Sequence, residues 1–123
     1  MATSKADALK TILNSLSASS GDIQASAVVS TDGLMIASNF PAGLDEDRLA
    51  AMSAALLAMG ERTARELDRG NLDQVFIKGE HGNIVMLSAG NEGVLTTLTS
   101  QNAKLGLVFL DMKRAAQEIA RII

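Results

Sequence analysis

The amino-acid sequence predicts an α+β sandwich in which a five-stranded antiparallel sheet carries helices on both faces, in the order α-β-β-α-β-β-β-α. Three segments repeat apolar residues at helical spacing, and five shorter runs have the length and composition of strands. The turns between neighbouring runs are short, as antiparallel strands allow and parallel strands do not. With 123 residues, of which 47% are hydrophobic, residues 1–123 are expected to form a single domain.

The first helix is predicted to begin after Ser4, an N-cap residue type that is followed by Asp7 three positions later. Its apolar residues recur at helical spacing: Leu9, Ile12, Leu13 and Leu16. Two strands come next, Gln24–Ser30 and Leu34–Ser38, on either side of Thr31-Asp32-Gly33. Asp and Gly tolerate the positive φ of a tight turn, so a β-hairpin is expected here.

The second helix follows a break in the chain at Phe40-Pro41 and Gly43. The run Asp45-Glu46-Asp47 places negative charge where a helix N-terminus favours it. The helix is predicted to run to about Arg69, with Gly70 as its C-cap.

Three further strands are predicted at Leu72–Lys78, Asn83–Ala89 and Val94–Thr99, and the short turns between them indicate an antiparallel meander. The last helix is expected to open near Asn102 and to bury one stripe. The residues on that stripe are Leu105, Val108, Phe109, Met112, Ala116, Ile119, Ala120 and Ile123.

The first half of the second helix is apolar nearly all round, so two of its faces need burial. One stripe is expected to pack on the domain's own sheet: Leu49, Met52, Leu56, Met59, Thr63 and Leu67. The far side carries small side chains that let another helix approach closely: Ala51, Ala54, Ala55 and Ala58. This pattern predicts a homodimer, although high helix propensity alone also accounts for the alanines.

No residue set with a catalytic pattern stands out. The chain has no cysteine and no P-loop string, and its single histidine, His81, lies in a predicted turn. Helix capping explains Asp45-Glu46-Asp47 better than a metal site does. The arginines of the second helix, Arg48, Arg62, Arg65 and Arg69, are expected to form a solvated face rather than to supply an arginine finger. No catalytic residue, metal or cofactor is predicted.

The composition also narrows the class of partner. A net charge of −3 without a basic stripe argues against nucleic acid. The longest uncharged apolar run, Leu49–Gly60, is shorter than the roughly 20 residues that cross a bilayer, so a cytoplasmic protein without direct membrane insertion is expected.

Three features of the sequence resemble roadblock-type (dynein light-chain roadblock) domains. Residues 28–38, Val-Val-Ser-Thr-Asp-Gly-Leu-Met-Ile-Ala-Ser, are similar to the first hairpin of these domains. Residues 102–108, Asn-Ala-Lys-Leu-Gly-Leu-Val, are similar to the start of their last helix, and a long second helix after Asp-Glu-Asp lies between the two strings. The resemblance covers essentially the whole chain and extends to the MglB-like regulators of small GTPases in bacteria and archaea.

The resemblance implies a homodimer with a continuous sheet and a non-catalytic role as regulator or scaffold of a small Ras-like GTPase. An adaptor subunit of the motor-associated light-chain type is the alternative, and a small-ligand sensor is less favoured because the predicted core is filled by Leu, Ile and Met. The implied dimer and partner interface comprises Ala51, Ala54, Ala55, Ala58, Arg62, Arg65, Val75, Phe76 and Ile77.

Overall fold

A computed structural model describes residues 4–123 and confirms the predicted element order. The elements are α1 (Lys5–Ser19), β1 (Ile23–Ser30), β2 (Met35–Asn39), α2 (Glu46–Glu66), β3 (Val75–Gly79), β4 (Gly82–Ala89), β5 (Gly93–Thr99) and α3 (Leu105–Ile122). Among the described residues, no helix is long and apolar enough to cross a membrane.

The sheet has the strand order β2-β1-β5-β4-β3, and every neighbouring pair is antiparallel. β1 and β5 lie at its centre, where Val28 pairs with Leu95 and Ala27 with Thr96. β2 and β3 are the two edge strands. The predicted β3-β4-β5 meander and the first hairpin are therefore confirmed.

Helices cover both faces of the sheet. α1 and α3 pack on one face over a core that contains Leu9, Leu13, Leu16, Val28, Val85, Leu95, Val108, Met112 and Ile119. α2 packs alone on the other face over a smaller core, formed by Ala27, Val29, Ala50, Leu57, Met86 and Val94.

Side-chain caps define where the first two helices begin, as the sequence predicts. The backbone N–H of Asp7 donates to Ser4 Oγ at 3.1 Å at the start of α1. The backbone N–H of Arg48 donates to Asp45 Oδ1 at 3.1 Å at the start of α2. Each cap satisfies one of the N–H groups that the first turn of a helix leaves without a partner.

The hairpin turn also has the predicted geometry. Gly33 has φ +88°, in the left-handed region that favours glycine. The Gly33 N–H donates to the Ser30 carbonyl at 3.0 Å, and the Ser30 N–H donates to the Leu34 carbonyl at 2.8 Å. Glycine at this position therefore sets the chain reversal between β1 and β2.

The end of α2 differs from the prediction, because the helix stops at Glu66 rather than near Arg69. Asp68 adopts φ +57°, its N–H donates to the Arg65 carbonyl, and the Arg69 N–H donates to the Ala64 carbonyl at 2.7 Å. This pair of bonds is a Schellman motif with Asp68 in the left-handed position that glycine usually takes. Gly70 lies beyond the cap.

The predictions for β3 and α3 were each too long at the N-terminal end. β3 begins at Val75 rather than at Leu72, because residues 72–74 diverge from β4 and Leu72 packs beside Gly60 of α2 instead. α3 begins at Leu105, three residues after Asn102. In both cases an apolar residue before the element packs in a loop rather than in a strand or helix.

Asp22, in the loop before β1, joins the two ends of the domain. Its carboxylate Oδ2 accepts the backbone N–H of Lys104 at 2.9 Å, and its backbone carbonyl accepts the N–H of Ser100 at 2.9 Å. Lys104 is the N-cap of α3 and supplies no side-chain cap of its own. A carboxylate from the start of the chain therefore lies at the start of the last helix, where the helix dipole favours negative charge.

Candidate partner interface on α2 and β3

The outer face of α2 is exposed and apolar. Met52 is 51% exposed, Leu56 39% and Met59 60%, and Leu67 beyond the helix is exposed as well. We call these four residues the apolar stripe. Monomeric proteins seldom leave large apolar side chains together in solvent, so a stripe of this kind marks an interaction surface.

The apolar stripe corrects the predicted orientation of α2, since Met52, Leu56, Met59, Thr63 and Leu67 were expected to face the domain's own sheet. The residues that do so are Ala50, Ser53 and Leu57, together with Leu49 of the predicted stripe, which is half-buried and packs against the core beneath α2. Both stripes have the same helical period, so the pattern alone does not decide between them. Small side chains face the sheet because they let the helix backbone lie close to Ala27 and Val29 of β1.

The alanines of the predicted far side do not all lie on the free surface. Ala51, Ala55 and Ala58 are exposed, whereas Ala54 is half-buried and packs against the core beneath α2. A methyl group placed on Gly33 would lie 3.5 Å from the Ala51 Cα, so this flank of the helix adjoins the β1–β2 turn. We call Ala51, Ala55 and Ala58 the alanine flank.

β3 presents an open edge, since within residues 4–123 it pairs only with β4. Val75 and Ile77 are half-buried and pack toward α2. Phe76 points to the other face, where its ring lies edge-on to Phe109 with ring centroids 6.1 Å apart. An unpaired strand edge offers a row of N–H and C=O groups to another strand.

Gly60 places the apolar stripe next to β3. A methyl group on Gly60 would lie 3.0 Å from Val75 Cγ2 and 3.1 Å from Leu72 Cδ2, so this side of α2 adjoins the start of the strand. At about 100° per residue, Leu56 and Leu67 share the flank of Gly60, and the alanine flank lies round the helix from them. The apolar stripe and the open edge are therefore adjacent surfaces.

The arginines of α2 are exposed. The Arg62 guanidinium Nε lies 2.9 Å from Glu66 Oε1, and both side chains are in solvent. Such a pair contributes on the order of 1 kcal/mol at most. Arg48, Arg65 and Arg69 are exposed and have no ion-pair partner within the described residues. Arg65 and Arg69 place positive charge at the C-terminal end of the apolar surface, and Arg48 lies in the first turn of the helix.

The groups considered for chemistry are dispersed. His81 is exposed in the two-residue turn between β3 and β4, and Asp45 caps α2. In the part of the chain that the structure describes, no three metal-ligating side chains come together. What the structure brings together is an exposed surface made of the apolar stripe, the alanine flank with Arg62 and Arg65, and the edge of β3.

Known proteins share both the sequence pattern and the fold of this chain. The sequence profile of the Roadblock/LC7 domain matches residues 9–99. An uncharacterised protein of Methanocaldococcus jannaschii, MJ1340, is 46% identical over 97 residues, which make up 79% of this chain and 84% of that protein.

Two solved structures share the fold. An MglB with a tetrameric arrangement superposes with a TM-score of 0.88 at 23% identity, over 99% of this chain and 92% of that one. Myxococcus xanthus MglB superposes with a TM-score of 0.87 at 22% identity, again over 99% and 92%.

Proposed function

We propose, from the premise that this chain belongs to the Roadblock/LC7 domain family, that it forms a homodimer which regulates or scaffolds a small Ras-like GTPase. Members of this family are regulators rather than enzymes in themselves. The observation that carries the proposal is the exposed apolar stripe of α2 beside the open edge of β3.

The exposed apolar stripe and the unpaired edge of β3 together favour a dimer. A two-fold axis beside β3 pairs its edge with the same strand of a second copy and continues the sheet across the interface. The same axis brings the two apolar stripes together and removes Met52, Leu56 and Met59 from water. One symmetric contact thus satisfies both the backbone groups of the edge and the apolar side chains of the helix.

The alanine flank then remains for a partner of another kind. Ala51, Ala55 and Ala58 permit close approach, and Arg62 and Arg65 next to them offer positive charge. We propose that the GTPase docks here, on the side of α2 that adjoins the β1–β2 turn. Arginine is enriched at protein–protein interfaces, and the rim of such an interface is polar.

In the proposed regulation, this chain supplies no catalytic group to the GTPase. A partner that adds no catalytic group changes a reaction only through its differential affinity for two states of the GTPase. We therefore expect binding to discriminate between the GTP-bound and GDP-bound forms and to alter hydrolysis or nucleotide exchange accordingly.

The test measures both rates for a small Ras-like GTPase of the same organism, with and without this protein, together with affinity for the GDP and GTP-analogue forms. A nucleotide-dependent affinity with one altered rate supports regulation. Ala58→Glu is the matched variant, because it should abolish the effect while leaving the dimer intact. Equal affinity for both forms with both rates unchanged would reject regulation and favour the adaptor.

A second arm tests the absence of an arginine finger. Arg62→Ala and Arg65→Ala should weaken docking and leave the maximal rate at saturation within about tenfold. An arginine finger contributes roughly 10³–10⁵ in rate. A loss of that size at full occupancy would contradict the finger-free mechanism.

A further inference from the structure

A groove of about 540 Å³ lies on the face of the sheet opposite α2. It runs between α3 and β4, beside the residues that lead into β3. Leu87, Phe109 and Ala116 give it an apolar floor, and Ser88 and Lys113 lie among its polar lining. The alanine flank lies on the other face of the sheet, so the proposed GTPase contact does not account for this groove, and Leu72 of its lining packs beside Gly60 of α2.

One wall of the groove is the end of β4, where β4 is paired with β5 but no longer with β3. Pairing of β4 with β3 ends at Met86, which faces Val75, whereas pairing of β4 with β5 continues to Ala89. No backbone hydrogen bond within the described chain joins residues 72–74 to residues 87–89. Leu87–Ala89 thus form a short stretch of strand that is paired on one side only.

The register identifies which backbone groups are free. The β3–β4 hairpin closes through a two-residue turn on Gly79 and Gly82, and in such hairpins that pair exchanges hydrogen bonds. Hydrogen-bonded and non-hydrogen-bonded pairs alternate along an antiparallel ladder. Every second residue of β4 after Gly82, as far as Ser88, therefore points its backbone N–H and C=O toward β3. Ser88, which has no β3 residue opposite it, therefore presents a donor and an acceptor to the groove.

β3 closes one end of the groove. Phe109 of α3 lies against Phe76, and a methyl group on Gly90 would lie 3.2 Å from Ala120 Cβ, so α3 follows the course of β4. Lys113, one turn after Phe109, lies toward the end where β3 begins. That end is closed by β3 itself, which pairs with β4 from Val75 onward.

These features define the shape and charge of an occupant. A strand that lies antiparallel to β4 along Leu87–Ala89 meets Val75 after about three residues, given a rise of about 3.4 Å per residue. Its carboxyl end then lies near Lys113, an exposed lysine without an ion-pair partner in the described chain. Asp73, exposed on the opposite wall, is the one acidic residue of the lining and opposes that carboxylate.

We propose that this groove binds the free carboxyl-terminal tail of a partner protein as an added β-strand. Ser88 pairs with the backbone of the tail, the apolar floor takes one of its last side chains, and Lys113 holds the terminal carboxylate. The occupant is a chain end because β3 blocks an extended strand from passing through.

The experiment titrates the full chain, labelled with nitrogen-15, with the probe acetyl-Ser-Val-Thr-Leu bearing a free carboxylate, and follows backbone amide shifts. We expect saturable changes in the low-millimolar range at Leu87, Ser88 and the Lys113 turn of α3. The same peptide with an amidated carboxyl end should bind about tenfold more weakly, because it loses the charge-assisted contact.

Variants separate the contributions. Lys113→Ala should weaken the free acid about tenfold and leave the amide unaffected, and Asp73→Asn should strengthen the free acid. Ser88→Pro removes an N–H that the ladder does not use and also fixes φ, whereas Ser88→Ala retains the N–H, so the first should abolish binding and the second should not. If Ser88→Pro fails to fold, the variants of the exposed residues Lys113 and Asp73 still test whether the groove binds the carboxylate.

Three results would overturn the proposal. The first is the absence of any saturable change, the second is equal affinity for the acid and the amide, and the third is a set of shifts located on the apolar stripe of α2. The last would assign the peptide to the interface described above.

Discussion

The two faces of the sheet are built from side chains of different size. On the face covered by α1 and α3, the fully buried residues are large: Leu9, Leu13, Met112 and Ile119. On the face covered by α2 the core is smaller, and the small residues Ala27, Ala50 and Ser53 are buried there. Apolar burial stabilises in proportion to area, so the first face contributes more to folding.

Buried hydroxyls without a hydrogen bond occur on both faces, since Ser26, which pairs with Thr97 and shares its face, also has an Oγ that makes no hydrogen bond within the described structure. On the α3 face, the buried Thr97 hydroxyl donates to Met112 Sδ at 3.1 Å. At the α2 face, the Oγ of Ser53 and the Oγ1 of Thr96 are buried and make no hydrogen bond within the described structure. The comparison teaches that α2 is held by close approach rather than by a large core, while its large side chains remain outside for another chain.

The largest expected loss of stability comes from a substitution on the face of the sheet that α1 and α3 cover. Leu13→Ala should lower the free energy of unfolding toward the upper end of about 2–5 kcal/mol, because it opens a cavity in the larger core. Leu57→Ala, the same change under α2, should fall near the lower end, since a helix held by small residues can settle into the space. Urea unfolding of both variants at one protein concentration measures the difference. Equal losses would show that the two faces contribute alike.

The next effect concerns association. Leu56→Glu should raise the dissociation constant of the dimer by at least about 100-fold, since an unpaired charge in a close contact costs several kcal/mol. Ala58→Glu, on the alanine flank, should leave the dimer intact. Sedimentation equilibrium separates the two variants. A monomeric Ala58→Glu with a dimeric Leu56→Glu would place the dimer contact on the alanines, as the sequence alone predicts, and a monomeric wild type would remove the dimer altogether.

A smaller loss of stability is expected for a substitution in the β1–β2 turn, where the turn adjoins α2. Gly33→Val should cost about 1–2 kcal/mol from the positive φ alone, and its side chain would also crowd Ala51. Gly21→Val is the control, because Gly21 has open space around it. Thermal unfolding and partner binding are measured together. A Gly33→Val protein of full stability that fails to bind its partner would make the turn a recognition site.

The smallest expected effect is a gain in stability rather than a loss. Ser53→Ala should stabilise the protein by about 1 kcal/mol, because it removes a buried hydroxyl without a partner and introduces a better helix former. Ser19→Ala should instead lose a few tenths, since Ser19 Oγ donates to the Leu16 carbonyl at 2.7 Å. Calorimetry of the pair provides the test. A loss at Ser53 would mean that its hydroxyl has a partner in solution.

Local signals in the sequence were sufficient for most of the fold. Ser4 and Asp45 cap helices through residues three positions away, and Gly33 supplies its own positive φ, so each can be recognised within a few residues. The meander followed from short turns alone. These features depend on neighbours along the chain, which is why a single sequence reveals them.

The candidate interface was predicted only in part, because the orientation of α2 depends on residues distant in sequence. Val75, Phe76 and Ile77 of the implied interface do lie on an edge strand. Which stripe of α2 faces inward was set by Ala27 and Val29 of β1, whose small or compact side chains accept Ala50 and Ser53 above them. A search for the largest apolar stripe therefore selected the wrong face.

The contact between Asp22 and the start of α3 bears on how the domain folds. The N–H of Lys104 gains its acceptor from a residue 82 positions earlier, so the last helix is completed only when the first third of the chain is in place. Contacts of such long sequence separation slow folding and couple the two ends into one cooperative unit. The amides of Lys104 and of the start of β1 should therefore exchange with deuterium through the same opening event, and Asp22→Ala should accelerate exchange at both ends of the chain.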